Sequence, residues 1–153
     1  MRHAGNAEIY EKHAAELVRF ATSITGPSAA ADVVADAVVR AMTSPTWRGV
    51  VNHRAYLYRA VLNEARMHHR SAMARRAREL RAPVSAGDDE PVLRPEVAEA
   101  LATLDERQRA VVFLTYWEDL DAGRVARFLD ISIRTVRRDL ATAKGRLRGL
   151  LHD

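Results

Sequence analysis

Apolar residues recur at steps of three and four along most of this 153-residue chain, and no segment alternates with the two-residue period of a strand. That pattern admits helices and little else. Ile9, His13, Leu17, Phe20 and Ile24 form one stripe, which Gly26-Pro27 ends. A second helix follows Ser28, with Val34, Ala37, Val38 and Ala41 on one side, and Ser44-Pro45 breaks it. The segment to Asn52, which contains Trp47, has no consistent period and reads as a loop. Asn52 is a good cap for a third, longer helix with Leu57, Val61, Leu62 and Ala65 inward, running into a basic tract from Arg66 to Arg81.

The helical pattern lapses again, over a longer stretch. Pro83, Pro91 and Pro95 stand with Gly87 and three consecutive acids between Arg81 and Glu96, a composition that reads as a linker. Beyond it, Val97, Leu101 and Leu104 mark a short helix, and Asp105 with Gln108 resembles a capping box for a helix carrying Val111, Val112 and Leu114. A short helix near Asp121 to Leu129 follows, then a turn at Asp130-Ile131. Ser132 caps a last helix with Val136, Leu140, Ala143, Leu147 and Leu150 on one face. The predicted fold is all-α: two small helical domains, 8–81 and 96–151, joined by a flexible linker over 82–95, the second ending in a helix-turn-helix.

Charge separates along the same divisions. The chain carries a net +4, which by itself says little about partners. Residues 1–81 hold 13 basic and 7 acidic side chains; residues 96–123 hold 2 and 7, and residues 124–148 hold 8 and 2. Positive charge therefore gathers in the first domain and at the end of the second. Of the 24 basic residues 22 are arginine in an alanine-rich chain, which reflects composition as much as chemistry, so placement carries the argument.

Two local patterns suit nucleic acid. A helix-turn-helix needs a small residue where its helices cross, and Ala126 between Val125 and Leu129 supplies one. Asp130 tolerates the left-handed backbone of the turn. The second helix then presents Ser132, Arg134, Thr135, Arg137 and Arg138 at its start, while Arg137, Lys144 and Arg148 share a face suited to a phosphate backbone. On the third helix Tyr56, Arg59, Asn63, Arg66 and Arg70 align at steps of three and four, an aromatic, an amide and three guanidiniums along one side. Each pattern has a plainer reading as a solvated helix face. Thirteen linker residues at ~3.3–3.6 Å each could span roughly 45 Å, enough for one chain to reach two separated DNA elements.

Other chemistries find little support. Cysteine is absent, so disulfides and thiolate chemistry are excluded, which fits a reducing cytoplasm. No nucleophile elbow, phosphate-binding glycine loop or His-Glu-x-x-His stretch occurs, and no pair of carboxylates stands out as acid and base. His68 and His69 adjoin on a helix and point about 100° apart, which favours a surface pair well over a metal site. The expectation is a non-enzyme without cofactor or metal. No apolar run approaches the ~20 residues of a membrane span, and the N-terminus lacks a signal core.

The order of parts resembles the extracytoplasmic-function (ECF) group of bacterial RNA polymerase sigma factors, which contain sigma regions two and four only. The segment Ala31-Asp32-Val33-Val34-Ala35-Asp36-Ala37-Val38-Val39-Arg40-Ala41 is similar to the region-two helix that docks on the polymerase beta-prime clamp helices. Tyr56-Leu57-Tyr58-Arg59-Ala60-Val61-Leu62-Asn63 resembles the stretch that, with the preceding loop, engages the minus-ten element. Ala100 to Leu104, Arg109 to Val112, Val125 to Ser132 and Thr135-Val136 look like region four, whose helix-turn-helix reads the minus-thirty-five element. The chain departs from the family's habits at Ala35 and Val38, at Asp105, at Asp130 and at Asp139, where glutamine, an aromatic, proline, glycine and a basic residue respectively are usual.

The resemblance implies a cytoplasmic transcription-initiation protein that docks on core RNA polymerase, at the beta-prime clamp helices and the beta flap, and on promoter DNA, with an anti-sigma factor as a further candidate partner. It assigns Asp32, Val33, Asp36 and Arg40 to polymerase docking, and Trp47, Tyr56, Arg59, Asn63, Arg66 and Arg70 to the minus-ten element, with Trp47 equally readable as a plug in the core. Ser132, Arg134, Thr135, Arg137, Arg138 and Lys144 fall to the minus-thirty-five element. Two rival readings are a helix-turn-helix regulator that never binds polymerase and a sigma-like decoy whose acidic 96–123 block binds another regulator.

Overall fold

The computed structural model describes residues 5–78, 99, 100 and 102–151; the expected linker over 82–95 lies outside the described residues. Among the described residues every regular element is helical. Helix α1 (Asn6–Thr25) buries Ile9, His13, Leu17, Phe20, Ala21 and Ile24, the predicted stripe and one residue more. Gly26 then turns the chain with φ at 87°, a left-handed value that a side chain would strain, and Pro27 opens α2 (Pro27–Thr43) at a position where its missing N–H costs nothing. Helix α3 (His53–Arg78) starts where Asn52 Oδ1 accepts the Ala55 N–H at 3.0 Å. These three helices pack pairwise into a bundle.

The second half is built from shorter pieces. Asp105 and Gln108 form the reciprocal capping box of α4 (Glu106–Val112). Over Phe113–Trp117 the helix widens by one residue per turn, Glu118 N–H reaching Phe113 O at 3.2 Å. That π-turn is invisible to periodicity. It leaves Phe113 and Leu114 buried while Tyr116 and Trp117 stand 57% and 66% exposed, so adjacent aromatics divide between core and surface.

Asp121 caps α5 (Ala122–Leu129) through the Arg124 N–H, and Asp130 ends it at φ 56°, ψ 50°, as its tolerance of the left-handed region predicts. Ile131 N–H reaches back to Ala126 O at 2.9 Å to close the turn. Ser132 Oγ then accepts the Thr135 N–H at the start of α6 (Ile133–Leu151), which buries Val136 and Ala143 and half-buries Leu140 and Leu147. Ala126 is buried where α5 crosses α6, and the expected contribution of the Leu150 side chain lies outside the described residues.

The two halves share one buried cluster. Helix α4 packs against α1 and α3, and α5 packs against α3. Phe20 of α1 lies 4.5 Å from Tyr58 of α3 and 5.4 Å from Phe113, and Tyr58 meets Phe128 of α5 edge-on at 5.0 Å between ring centroids. Helix α3 serves both sides because its apolar arc is wide: Leu57, Tyr58, Val61, Leu62 and Ala65 are all buried. The reach across two DNA elements expected of tethered domains therefore requires this interface to part.

Candidate nucleic-acid interface

The arginines at the start of α6 stand clear of the core. Arg134, Arg137 and Arg138 are exposed and enter no ion pair among the described residues, and Lys144 and Arg148 are exposed further along the helix. Ser132 is exposed; Thr135 is half-buried, its hydroxyl 2.8 Å from that of Ser132. Exposed guanidiniums on the first turns of a helix held by a cap and a rigid turn are what major-groove reading demands.

Asp139, where the family's reading helix usually carries a basic residue, points the other way. It is 1% exposed, and Arg107 of α4 donates to both its oxygens, from Nε at 2.8 Å and from an Nη at 3.0 Å. A two-point pair of this kind fixes α6 against α4 in angle as well as distance. Its hydrogen bond to Asp139 raises the Arg107 pKa above its ordinary value.

The stripe on α3 is only partly available. Asn63 and Arg70 are exposed and Arg66 is half-exposed. Arg59 is half-buried: it donates to Phe128 O of α5 at 3.3 Å, and its guanidinium lies 5.9 Å from the centroid of the Tyr56 ring. Tyr56 is half-buried with its hydroxyl 2.9 Å from the Thr46 hydroxyl, and hydrogen bonds from Ser44 and Thr46 lower its phenol below the ordinary value.

Two sequence expectations need correcting. Trp47 does not offer a ring to an unpaired base: it is 6% exposed, its indole N–H donates to Asn6 Oδ1 at 3.0 Å, and it packs on His53 and Tyr56. Trp47 plugs the gap between α1 and α3, the second of the two readings its position allows. Val33, assigned to the docking surface, has no exposed area at all and belongs to the core between helices. Asp32 on the same helix is exposed, and Val39, seven residues on from Asp32, is 64% exposed and continues that face in an apolar form that the stripe analysis passed over.

The rest of the α2 face leans on α3. Arg40 Nε lies 2.6 Å from Oε1 of Glu64, an α3 carboxylate that is buried, and Asp36 Oδ2 lies 3.2 Å from His68 Nε2. Asp36, Glu64 and His68 together bring one ligand-type atom each within 4.8 Å of one another.

A polar network crosses the boundary between the halves. Arg54 of α3 donates from Nε to Glu16 of α1 at 2.5 Å and from an Nη to Glu118 at 3.1 Å, and its guanidinium lies 5.3 Å and 5.2 Å from the Tyr58 and Phe128 ring centroids. Burial opposes its charge, but the Glu16 carboxylate outweighs that and raises its pKa. Tyr58 beneath it has a buried hydroxyl that makes no hydrogen bond of good geometry among the described residues; burial, then the Glu16 and Glu118 carboxylates, push its phenol well up. Arg109 adds a bond to Ile24 O at 2.5 Å, and His69 stands 3.6 Å from Glu106.

Two family models match the chain. Residues 9–75 match the model for sigma-70 region 2, and residues 94–147 match that for sigma-70 region 4. The ECF RNA polymerase sigma factor SigL of Mycobacterium tuberculosis is 32% identical over 155 residues, covering 95% of this chain and 88% of the relative. The sigma factor RpoE from Bartonella quintana, solved in complex with the anti-sigma factor NepR, shares the fold with a TM-score of 0.64 at 21% identity, over 95% of this chain and 96% of that one. With its helix-turn-helix, its basic α3 and a relative matched along nearly its whole length, the chain belongs to the ECF RNA polymerase sigma factors.

Proposed function

We propose that this sigma factor docks on core RNA polymerase through the exposed face of α2, reads the upstream promoter element with the start of α6, and holds the minus-ten element along α3. The observation that carries the reading is the unpaired arginine tip of α6, set on a capped, tightly turned helix-turn-helix. Arg134 and Arg138 meet base edges or phosphates, and Lys144 tracks the backbone. Asn63, Arg66 and Arg70 are the α3 side chains already exposed to a second DNA element, while Arg59 joins them once Phe128 O releases it. Asp32, Asp36, Val39 and Arg40 face the beta-prime clamp helices. Regions 8–81 and 96–151 act as separable domains, and the beta flap holds the second.

The chain supplies recognition and the polymerase supplies the chemistry, so the site of action is the cytoplasm. No helix among the described residues is long and apolar enough to cross a membrane. An anti-sigma factor would act on the same surfaces by keeping the halves together.

Run-off transcription by core polymerase with this protein, on a library of upstream regions, tests the reading. Specific starts are expected. The double variant Arg134→Ala, Arg138→Ala abolishes selectivity for the upstream element while leaving co-purification with core intact. Absence of specific starts from a folded chain that also fails to co-purify with core would overturn it.

A further inference from the structure

We propose that Asp36, Glu64 and His68 form a site for a divalent transition-metal ion of the zinc class in the seam between α2 and α3. The pair His68-His69 drew attention in the sequence and points apart, but the partners of His68 come from elsewhere. Glu64 lies one turn earlier on the same helix, at the i, i+4 spacing that puts two ligands on one face, and Asp36 faces them from α2.

The spacing suits one ion. Ligand atoms bound at about 2.0–2.2 Å, at angles between octahedral and tetrahedral, stand about 2.8–3.6 Å apart. His68 Nε2 and Asp36 Oδ2 are 3.2 Å apart, and Glu64 contributes its oxygen within 4.8 Å of both. One imidazole with two carboxylates is a borderline donor set, favouring zinc, cobalt or iron(II) over calcium or magnesium, and three protein ligands leave a fourth position to water.

Glu64 supplies an independent reason. Its side chain is 4% exposed, and Oε1 accepts no hydrogen bond, although Arg40 Nε lies 2.6 Å away. A buried carboxylate oxygen that accepts no hydrogen bond is costly. Its counter-charge sits on an arginine side chain that is 70% exposed and free to swing into water. A dication serves the two carboxylates better than one ill-directed guanidinium. Occupation neutralises Asp36 and releases Arg40, which changes the charge that the α2 face presents.

Titration of the full, chelator-treated chain with Zn²⁺ by calorimetry, and with Co²⁺ by visible absorption, tests the site. One ion per chain is expected. Loss of an outer-shell partner alone costs metal sites about 10–100-fold, so His68→Ala and Asp36→Asn, both at accessible positions, should each weaken binding by at least about tenfold. His69→Ala, beside the site but turned away from it, leaves binding unchanged. Arg40→Ala tightens binding, because the ion no longer displaces a guanidinium from Glu64. A folded chain that takes up neither ion overturns the proposal, as does binding that survives His68→Ala or fails to tighten in Arg40→Ala. None of these outcomes depends on promoter recognition.

Discussion

Arg54→Ala should part the two halves. The side chain bridges Glu16 of α1 and Glu118 after α4, at 2.5 Å and 3.1 Å, and lies over Tyr58 and Phe128. All three charged groups are shielded, with 31%, 20% and 19% of their side-chain surface exposed, so water recovers little of what is lost. Two charge-assisted hydrogen bonds contribute about 1.5–3 kcal/mol each. Holding an arginine in one rotamer costs about 2 kcal/mol, which leaves a net of about 1–4 kcal/mol. At ~1.4 kcal/mol per factor of ten, the ratio of packed to parted chains falls roughly five- to several-hundred-fold. Small-angle scattering of the full chain should show a larger radius of gyration, and urea denaturation should gain an early step for the second half. Arg54→Lys keeps the charge but offers a point rather than a fork and should fall between the two. Unchanged scattering together with an unchanged single transition in Arg54→Ala would refute the bridging role.

Three further outcomes are expected. Arg107→Ala strands the buried Asp139 carboxylate and costs about 3–5 kcal/mol, whereas Asp139→Leu lets the part-exposed Arg107 turn to solvent and costs much less; equal losses in urea denaturation would contradict the asymmetry. The Tyr58 phenol is pushed up, so the unfolded chain ionises first, and the stability this residue confers is full below about pH 10 and lost as pH rises beyond it. Tyr58→Phe flattens that alkaline decline and, since the hydroxyl makes no hydrogen bond of good geometry among the described residues, leaves neutral stability unchanged or about 1 kcal/mol higher, a result that several kcal/mol of loss at pH 7 would contradict. Ser132→Ala removes the cap of α6 and costs about 1 kcal/mol by thermal melting, with a matching drop in upstream-element affinity.

Most helices were legible because their information is local. The stripe from Ile9 to Ile24, the Asn52 cap, the Asp105–Gln108 box and the left-handed Asp130 each depend on residues within a turn or two, and each has the predicted form. What escaped was set by partners far away in sequence. Glu64 is buried against Arg40, and Asp139, where the family's reading helix usually carries a basic residue, is buried against Arg107. Trp47 lacked a period to place it, since its role is to fill a gap between helices that only tertiary packing creates. The π-turn at Phe113–Trp117 shifts the register by one residue, so no 3.6-residue template can say which of its aromatics faces out.

The site was legible in chemistry but not in availability. Nothing in the spacing of Tyr56, Arg59, Asn63, Arg66 and Arg70 says that the middle of the stripe meets α5, yet Arg59 is spent on Phe128 O while Asn63 and Arg70 remain open. The contacts that hold the halves together and those expected to meet DNA therefore draw on the same helix. Arg54 faces the interface and Arg70 faces water, with Arg59 between them serving the interface in this arrangement. A partner that competes for Arg59 gains its guanidinium only by giving up a hydrogen bond near the Tyr58–Phe128 contact, so DNA binding along α3 and separation of the helix-turn-helix are thermodynamically coupled. The coupling runs both ways: a variant such as Arg54→Ala that loosens the interface should also bind minus-ten DNA more tightly.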